Sequence, residues 1–340
     1  MKVPRARNNG LHIPAGPRGS FWDNSTMSLF RRQLLCWYDR NKRDLPWRSS
    51  KDPYRIWVSE IMLQQTRVAA VIDYYHRFLS IFPTVEALAR AKPATVLGAW
   101  SGLGYYRRAR AMHAAARLIV TKQGGKFPEE TNDLRQLPGI GPYTAAAIAS
   151  IAFDQRAALV DGNVERVLKR LTGQQNAGKR ELWLVAARFL APRRPGDFNQ
   201  ALMEIGATVC LPEPECARCP VSRWCATRGR GGERIRQPRR RANSQYRLST
   251  RGDSVLLVRR TKNTSLMPGM WELPALRGNG GRSTSSFKVR HSITVTDFVI
   301  TVTIGDPPRC VRGRWVRLGE LESLPLTGLA RKILRHANLI

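Results

Sequence analysis

The chain has 340 residues, enough for two ordinary domains, and a formal net charge of +32 from 57 Lys and Arg against 25 Asp and Glu. A small-molecule enzyme has no need of that excess, so a polyanionic partner is the first inference. Hydrophobic residues at 42%, with nine Trp, ten Phe and eight Tyr, exclude a histone-like tail or a disordered basic chain. No run approaches the ~20 apolar residues of a membrane span, and no apolar leader opens the chain. The expectation is a protein with no membrane partner, in the cytoplasm, nucleoid-associated if the cell is bacterial.

Residues 1–26, rich in Pro, Gly, Asn and Arg without periodic apolar positions, are expected to be a disordered basic tail. From 27 to 228 apolar residues recur at helical spacing. They are interrupted at Pro83, Pro93, Gly124-Gly125, Pro138-Gly139, Gly162, Gly173 and Pro192, which predicts an all-α domain. Residues 229–245, dense in Arg, read as a solvated linker able to lie along a phosphate backbone, or as a plain basic spacer. From 246 to 340 short β-rich runs (SVLLVRR, HSITVTDFVITVTI, GRWVRL) precede a helix-like end near Leu329–Ala337, predicting a smaller α+β domain. The charge is not one tail: residues 27–228 hold 31 basic against 17 acidic side chains, and residues 229–340 hold 22 against 7.

Within the helical region Glu60 stands out, because Ile56-Trp57-Val58-Ser59 before it and Ile61-Met62-Leu63 after it are nearly all apolar. A half-buried glutamate has a raised pKa, which suits a general acid. Gly139 and Gly141, in the turn Leu137-Pro138-Gly139-Ile140-Gly141-Pro142-Tyr143-Thr144, let backbone N–H groups face outward toward a phosphate. A helix predicted from Ala145 through Ile151 and on to Val160 leads to Asp161-Gly162-Asn163-Val164, where the aspartate is placed either to cap the next helix or to do chemistry. Two carboxylates serving one reaction fit glycosidic cleavage, one protonating the leaving group and the other stabilising positive charge on the sugar. Cys210, Cys216, Cys219 and Cys225 form a C-x5-C-x2-C-x5-C run. Such crowding asks for a metal, and a compact run of four thiolates suits an iron-sulfur cube better than zinc.

Hairpin, following aspartate and cysteine run, in this order and spacing, resemble the adenine DNA glycosylase family of the helix-hairpin-helix iron-sulfur (endonuclease III-like) superfamily. Leu45-Pro46-Trp47-Arg48, Asp52 through Thr66, Gly102-Leu103-Gly104-Tyr105-Tyr106-Arg107 and Phe198 through Ala207 carry the same likeness, densely over residues 29 to about 226. The resemblance implies a helix-hairpin-helix glycosylase domain with a 4Fe-4S loop at 210–225, followed by a Nudix-like domain that reads 8-oxoguanine. It implies a monomeric base-excision repair hydrolase acting on double-stranded DNA, flipping adenine mispaired with 8-oxoguanine or guanine out of the stack. By the resemblance Glu60 protonates the adenine, Asp161 stabilises the oxocarbenium-like sugar, and Tyr143 and Asn163 orient them. Trp47, Arg48, Leu63 and Glu204 line the adenine pocket, and Gln65 and Tyr105 push into the duplex.

Tyr143 stands where endonuclease III carries a lysine nucleophile, so no Schiff base is expected and strand cleavage is left to another enzyme. A bifunctional glycosylase/lyase and a non-catalytic iron-sulfur DNA-binding protein are the rival readings. The C-terminal region lacks the Glu-rich Nudix box. Its Phe-Ser-His reading loop is replaced by Arg290-His291-Ser292-Ile293-Thr294-Val295-Thr296, in which Thr294 supplies the hydroxyl. The first cysteine gap is one residue shorter than the family's, with all four thiolates kept.

Overall fold

A computed structural model describes residues 22–228, 240–261, 263–264, 267–276, 285–293, 296–308, 311–321 and 324–340. Eleven helices come first among them: α1 (Asn24–Asn41), α2 (Pro53–Leu63), α3 (Val68–Ile81), α4 (Val85–Arg90), α5 (Pro93–Ala99), α6 (Arg107–Gln123), α7 (Thr131–Leu134), α8 (Pro142–Ala152), α9 (Gly162–Thr172), α10 (Lys179–Phe189) and α11 (Pro195–Thr208). Strands β1 (Arg240–Leu248), β2 (Thr250–Arg251), β3 (Ser254–Arg259), β4 (Trp271–Glu272), β5 (Ser285–Ile293), β6 (Thr296–Ile304) and β7 (Arg314–Arg317) follow, then α12 (Gly328–His336).

The Pro and Gly punctuation works as its chemistry dictates. Pro93, Pro142 and Pro195 open α5, α8 and α11, where a missing N–H costs nothing. Gly124 and Gly173 close α6 and α9 in the left-handed conformation. Three edges differ from the sequence reading. α1 begins at Asn24, inside the stretch expected to be disordered, because the Asp23 carboxylate accepts the Thr26 N–H at 2.7 Å and caps it. α8 stops at Ala152 and does not run on to Val160. Asp154 adopts φ 53°, the left-handed stop that glycine usually makes, and Gln155 N–H returns to Ala149 C=O at 2.9 Å. The segment expected as linker up to 245 is strand from Arg240 onward. Arg240–Leu248 pairs in parallel with Thr296–Ile304, burying Arg247 and Leu248 at its end.

The chain divides into two compact units that interleave in sequence. The first comprises residues through Trp57, Pro128–Gln136 and Ile140–Ile235. In it α11 packs against α1, α8 and α9 around Phe30, Leu34, Leu168, Phe189 and Phe198, all fully buried, each such side chain contributing ~1.5–3 kcal/mol. Gly206 allows α11 to approach α9: a Cβ there would lie 2.8 Å from Asn163 Cβ and 3.2 Å from its backbone. Gly206→Ala is therefore expected to cost about 1–3 kcal/mol by overpacking and to displace the Asp161–Asn163 turn. Urea melts would show the first effect, and a base-release deficit exceeding the folding deficit would show the second.

The second unit comprises Val58–Phe127, Leu137–Gly139 and Arg236–Ile340. Its helical part pairs α6 with α4 and α5, and α3 with α5. Its strands form one sheet ordered β1-β6-β5 and a second in which β3 pairs β2, β4 and β7. Val255, Leu257, Val302, Val316 and Ile333 are buried in the core that α12 helps cover. Within this unit Leu326 C=O accepts Ser101 Oγ–H at 3.0 Å and Tyr106 Oη–H at 2.9 Å.

Candidate active site and nucleic-acid interface

Asp161 is half-buried at the N-cap of α9, in the first unit, where its Oδ1 accepts the Val164 N–H at 2.7 Å. Burial raises its pKa above the ordinary value and outweighs the lowering bonds from Val164 and Asn163. The aspartate is therefore both the cap and a carboxylate held at a cost. Asn163 accepts Arg166 Nη2–H at 2.8 Å, and the same guanidinium reaches Gly206 C=O at 2.6 Å and, through Nε, Cys210 C=O at 2.8 Å. The turn after Asp161 is thus tied to α11 and to the start of the cysteine segment.

Arg48 and Glu204 are brought together. Glu204, on α11, is fully buried; its Oε2 accepts Arg48 Nη2–H at 2.7 Å and Arg43 Nη2–H at 2.9 Å, and its Oε1 accepts Arg43 Nε–H at 2.7 Å. Burial alone would raise its pKa, but the bonds from Arg43 and Arg48 override it and hold the carboxyl at about 2. Arg48 Nη1–H also reaches Arg43 C=O at 2.9 Å, so the Pro46–Arg48 3-10 turn and its buried Trp47 are pinned to α11. The sequence reading missed Arg43, which one more arginine in so basic a chain gave no means of singling out. Tyr143, half-buried on α8, donates its hydroxyl to Met203 Sδ at 3.2 Å.

Glu60 lies in the second unit on α2, 5% exposed, with Val58, Ile61 and Met62 buried beside it. Leu63, half-buried, ends the helix, and Gln65 follows, exposed, at φ 57°. Tyr105 sits between Gly104 and α6 at φ 48°, with 45% of its surface exposed. Positive φ is rare for residues other than glycine, and these two positions both take it. In the hairpin turn Gly139 has φ 79° and a Cβ there would meet Ala111 Cβ at 2.7 Å, while Gly141, N-cap of α8, has no atom within 4 Å of that direction. Both glycines are exposed.

The four cysteines are half-buried. Arg170 of α9 contacts two of them: its Nη1–H reaches Cys210 Sγ at 3.5 Å and its C=O accepts Cys225 Sγ–H at 3.4 Å. Burial pushes the Cys219 thiol up to about 11, and the other three sulfurs push it the same way, as close neighbours do. Four thiols in one segment are the donor chemistry an iron-sulfur cluster takes. Among the described residues no group of three or more His, Cys, Asp or Glu side chains is arranged to close on a single metal ion. Thr294, the expected reader of the oxidised base, lies outside the described residues, between the paired β5 and β6.

Helices joined by a Gly-Ile-Gly turn with an aspartate capping the helix that follows define the helix-hairpin-helix class of DNA-repair folds. Residues 58–186 match the HhH-GPD superfamily of base excision DNA repair proteins. A solved thermostable thymine-DNA glycosylase is 31% identical with a TM-score of 0.56, covering 60% of this chain and 96% of its own. An endonuclease III–DNA complex at 20% identity and TM-score 0.53 shares the fold. The chain belongs to the HhH-GPD superfamily of base excision DNA repair proteins. Adenine DNA glycosylase of Rattus norvegicus is 48% identical over 242 residues, 67% of this chain and 47% of that protein. The enzyme of the same name from Buchnera aphidicola of Acyrthosiphon pisum is 40% identical over 207 residues, 59% of each. The chain thus spans about half the length of the curated relatives it matches.

Proposed function

We propose that this protein is a monofunctional DNA glycosylase that hydrolyses the N-glycosidic bond of adenine mispaired with 8-oxoguanine or guanine in double-stranded DNA. The observation that carries the reading is Asp161: a carboxylate whose charge burial disfavours, kept at a helix N-cap where a neutral residue would serve the fold as well. Its negative charge gains its partner when positive charge develops on the sugar. Glu60, buried among apolar residues, gives its proton to a ring nitrogen of the adenine. The C–N bond then breaks with its electron pair leaving on the base, and water adds to the sugar carbon and returns a proton. Tyr143 offers no amine, so the product is an abasic site with an intact strand.

Cys210, Cys216, Cys219 and Cys225 would hold the 4Fe-4S cluster, which supplies a rigid fold for the loop carrying Arg218 and Arg223 and takes no part in base chemistry. The exposed Gly139 and Gly141 and the net charge of +32 fit a phosphate backbone. The strand-rich C-terminal region is read as a Nudix-like domain that contacts the base opposite, with Thr294 donating or accepting through its hydroxyl.

The test is single-turnover base release from duplexes carrying A opposite 8-oxoguanine, G, C or T, and T opposite G. Release of adenine, fastest opposite 8-oxoguanine, with no borohydride-trapped adduct, is the expected result. Preferential release of thymine, as the name of the 31%-identical structure would suggest, or a trapped covalent adduct, would overturn it.

A further inference from the structure

Arg108, on the first turn of α6, is half-buried, and nothing in the proposed chemistry uses it. Its guanidinium nevertheless gathers the carbonyls of two separate loops. Nη1 donates to Ile61 C=O at 2.8 Å and Met62 C=O at 3.0 Å, at the C-terminal end of α2, and to Gln64 C=O beyond it. Nη2 donates to Thr66 Oγ1 at 3.2 Å, and to Leu103 C=O and Gly104 C=O at 3.4 Å each. The cation lies 5.3 Å from the centre of the Tyr105 ring and 5.5 Å from that of Trp100. Thr66 Oγ–H closes the net on Gln64 C=O at 3.3 Å, and Trp100 Nε1–H closes it on Gly104 C=O at 3.1 Å.

The two loops so joined carry Gln65 and Tyr105, both in the left-handed backbone region that side chains with a Cβ avoid. Strain of this kind persists only where surrounding bonds over-determine it, and it gathers at working sites. Here the bonds that hold it come from one planar fork with donors in fixed directions. The strain falls on an exposed tyrosine and an exposed glutamine. A side chain that enters a base step must be rigid beforehand, because ordering it on contact would subtract from the energy available to unstack the bases.

We propose that Arg108 is a positioning residue that joins the 63–66 and 103–105 loops into one preformed wedge, which enters the duplex and drives the target base out. This inference rests on the glycosylase reading, and the test separates the two. Full-length Arg108→Met and Arg108→Lys are compared with wild type on a duplex with 2-aminopurine beside an A:8-oxoguanine mispair, on a matched duplex, and in thermal melts. Arg108→Met is expected to bind the matched duplex as wild type does, lose the rise in 2-aminopurine fluorescence, and release base about tenfold more slowly or worse at saturating enzyme. Arg108→Lys, which restores the charge without the fork, is expected to recover less than half of either signal.

If Arg108→Met fails to fold, Thr66→Val removes a single partner of the fork and is expected to lower the fluorescence rise on its own. Wild-type fluorescence and rate in a folded Arg108→Met or Thr66→Val, or full rescue by Arg108→Lys, would overturn the proposal. Wild type that distorts the mispaired duplex without releasing any base would instead sink the glycosylase reading, and the wedge would then be judged on the fluorescence of Arg108→Met alone.

Discussion

Asp161→Asn is expected to abolish base release, by about three orders of magnitude or more, while leaving the melting temperature at neutral pH equal to or above that of the parent. Ordinary capping logic predicts little change in the fold, because asparagine accepts the Val164 N–H as well as aspartate does. The carboxylate adds a penalty, since burial raises its pKa from the ordinary 3.8. With the folded value above the unfolded one, the charge costs no stability below 3.8, and the cost grows as pH rises through the raised folded value. The variant escapes that cost. Its advantage in melting temperature should be absent near pH 3 and present at pH 7, measurable by calorimetry beside single-turnover assays. A variant that lost stability and activity together would show the aspartate to be only a cap.

Arg48→Met should have the largest effect on folding. It keeps an apolar stem but removes one of the two guanidiniums that neutralise a fully buried glutamate, a change worth about 3–5 kcal/mol. The parent's dependence on acid has the opposite sign to that of Asp161. Glu204 is held at about 2 against an ordinary 4.5, so its contribution of about 3 kcal/mol is complete above 4.5 and disappears as pH falls through 2. Urea unfolding at pH 7, 4 and 2.5 should show the parent weakening across that interval and Arg48→Met weakened already at neutral pH. A loss below about 1 kcal/mol at pH 7 would mean that Arg43 alone neutralises the carboxylate.

Much of the helical part was legible because its signals are local. Proline without an N–H opens α5, α8 and α11, and glycine with positive φ closes α6 and α9, whatever surrounds them. Glu60 was legible because six apolar neighbours leave a glutamate no exposed face, and four cysteines in one run announce themselves by number. The β-rich runs likewise placed β3, β6 and β7 and the final helix, while β5 begins at Ser285, ahead of the run that holds only its end.

Other features depend on partners far along the chain. β1 is a row of arginine and small polar residues that becomes a strand only by pairing with β6, more than 50 residues on. The end of α8 turns on Asp154 taking a conformation that asparagine and aspartate merely tolerate. Arg43 and Arg108 are two arginines in a chain with 57 basic residues, and what distinguishes them is where their guanidiniums end, on a buried carboxylate in one case and on six acceptors at the end of α2 and in two loops in the other. By itself the sequence determined where several of the helices start and stop, and which positions put a carboxylate in an apolar run, an aspartate before a helix and four thiols in one segment, because these follow from backbone and side-chain chemistry at single positions. Only the tertiary structure decided which charges are neutralised and which loops are held rigid, because hydrogen bonds across 40 to 160 residues are set by packing that no local pattern encodes.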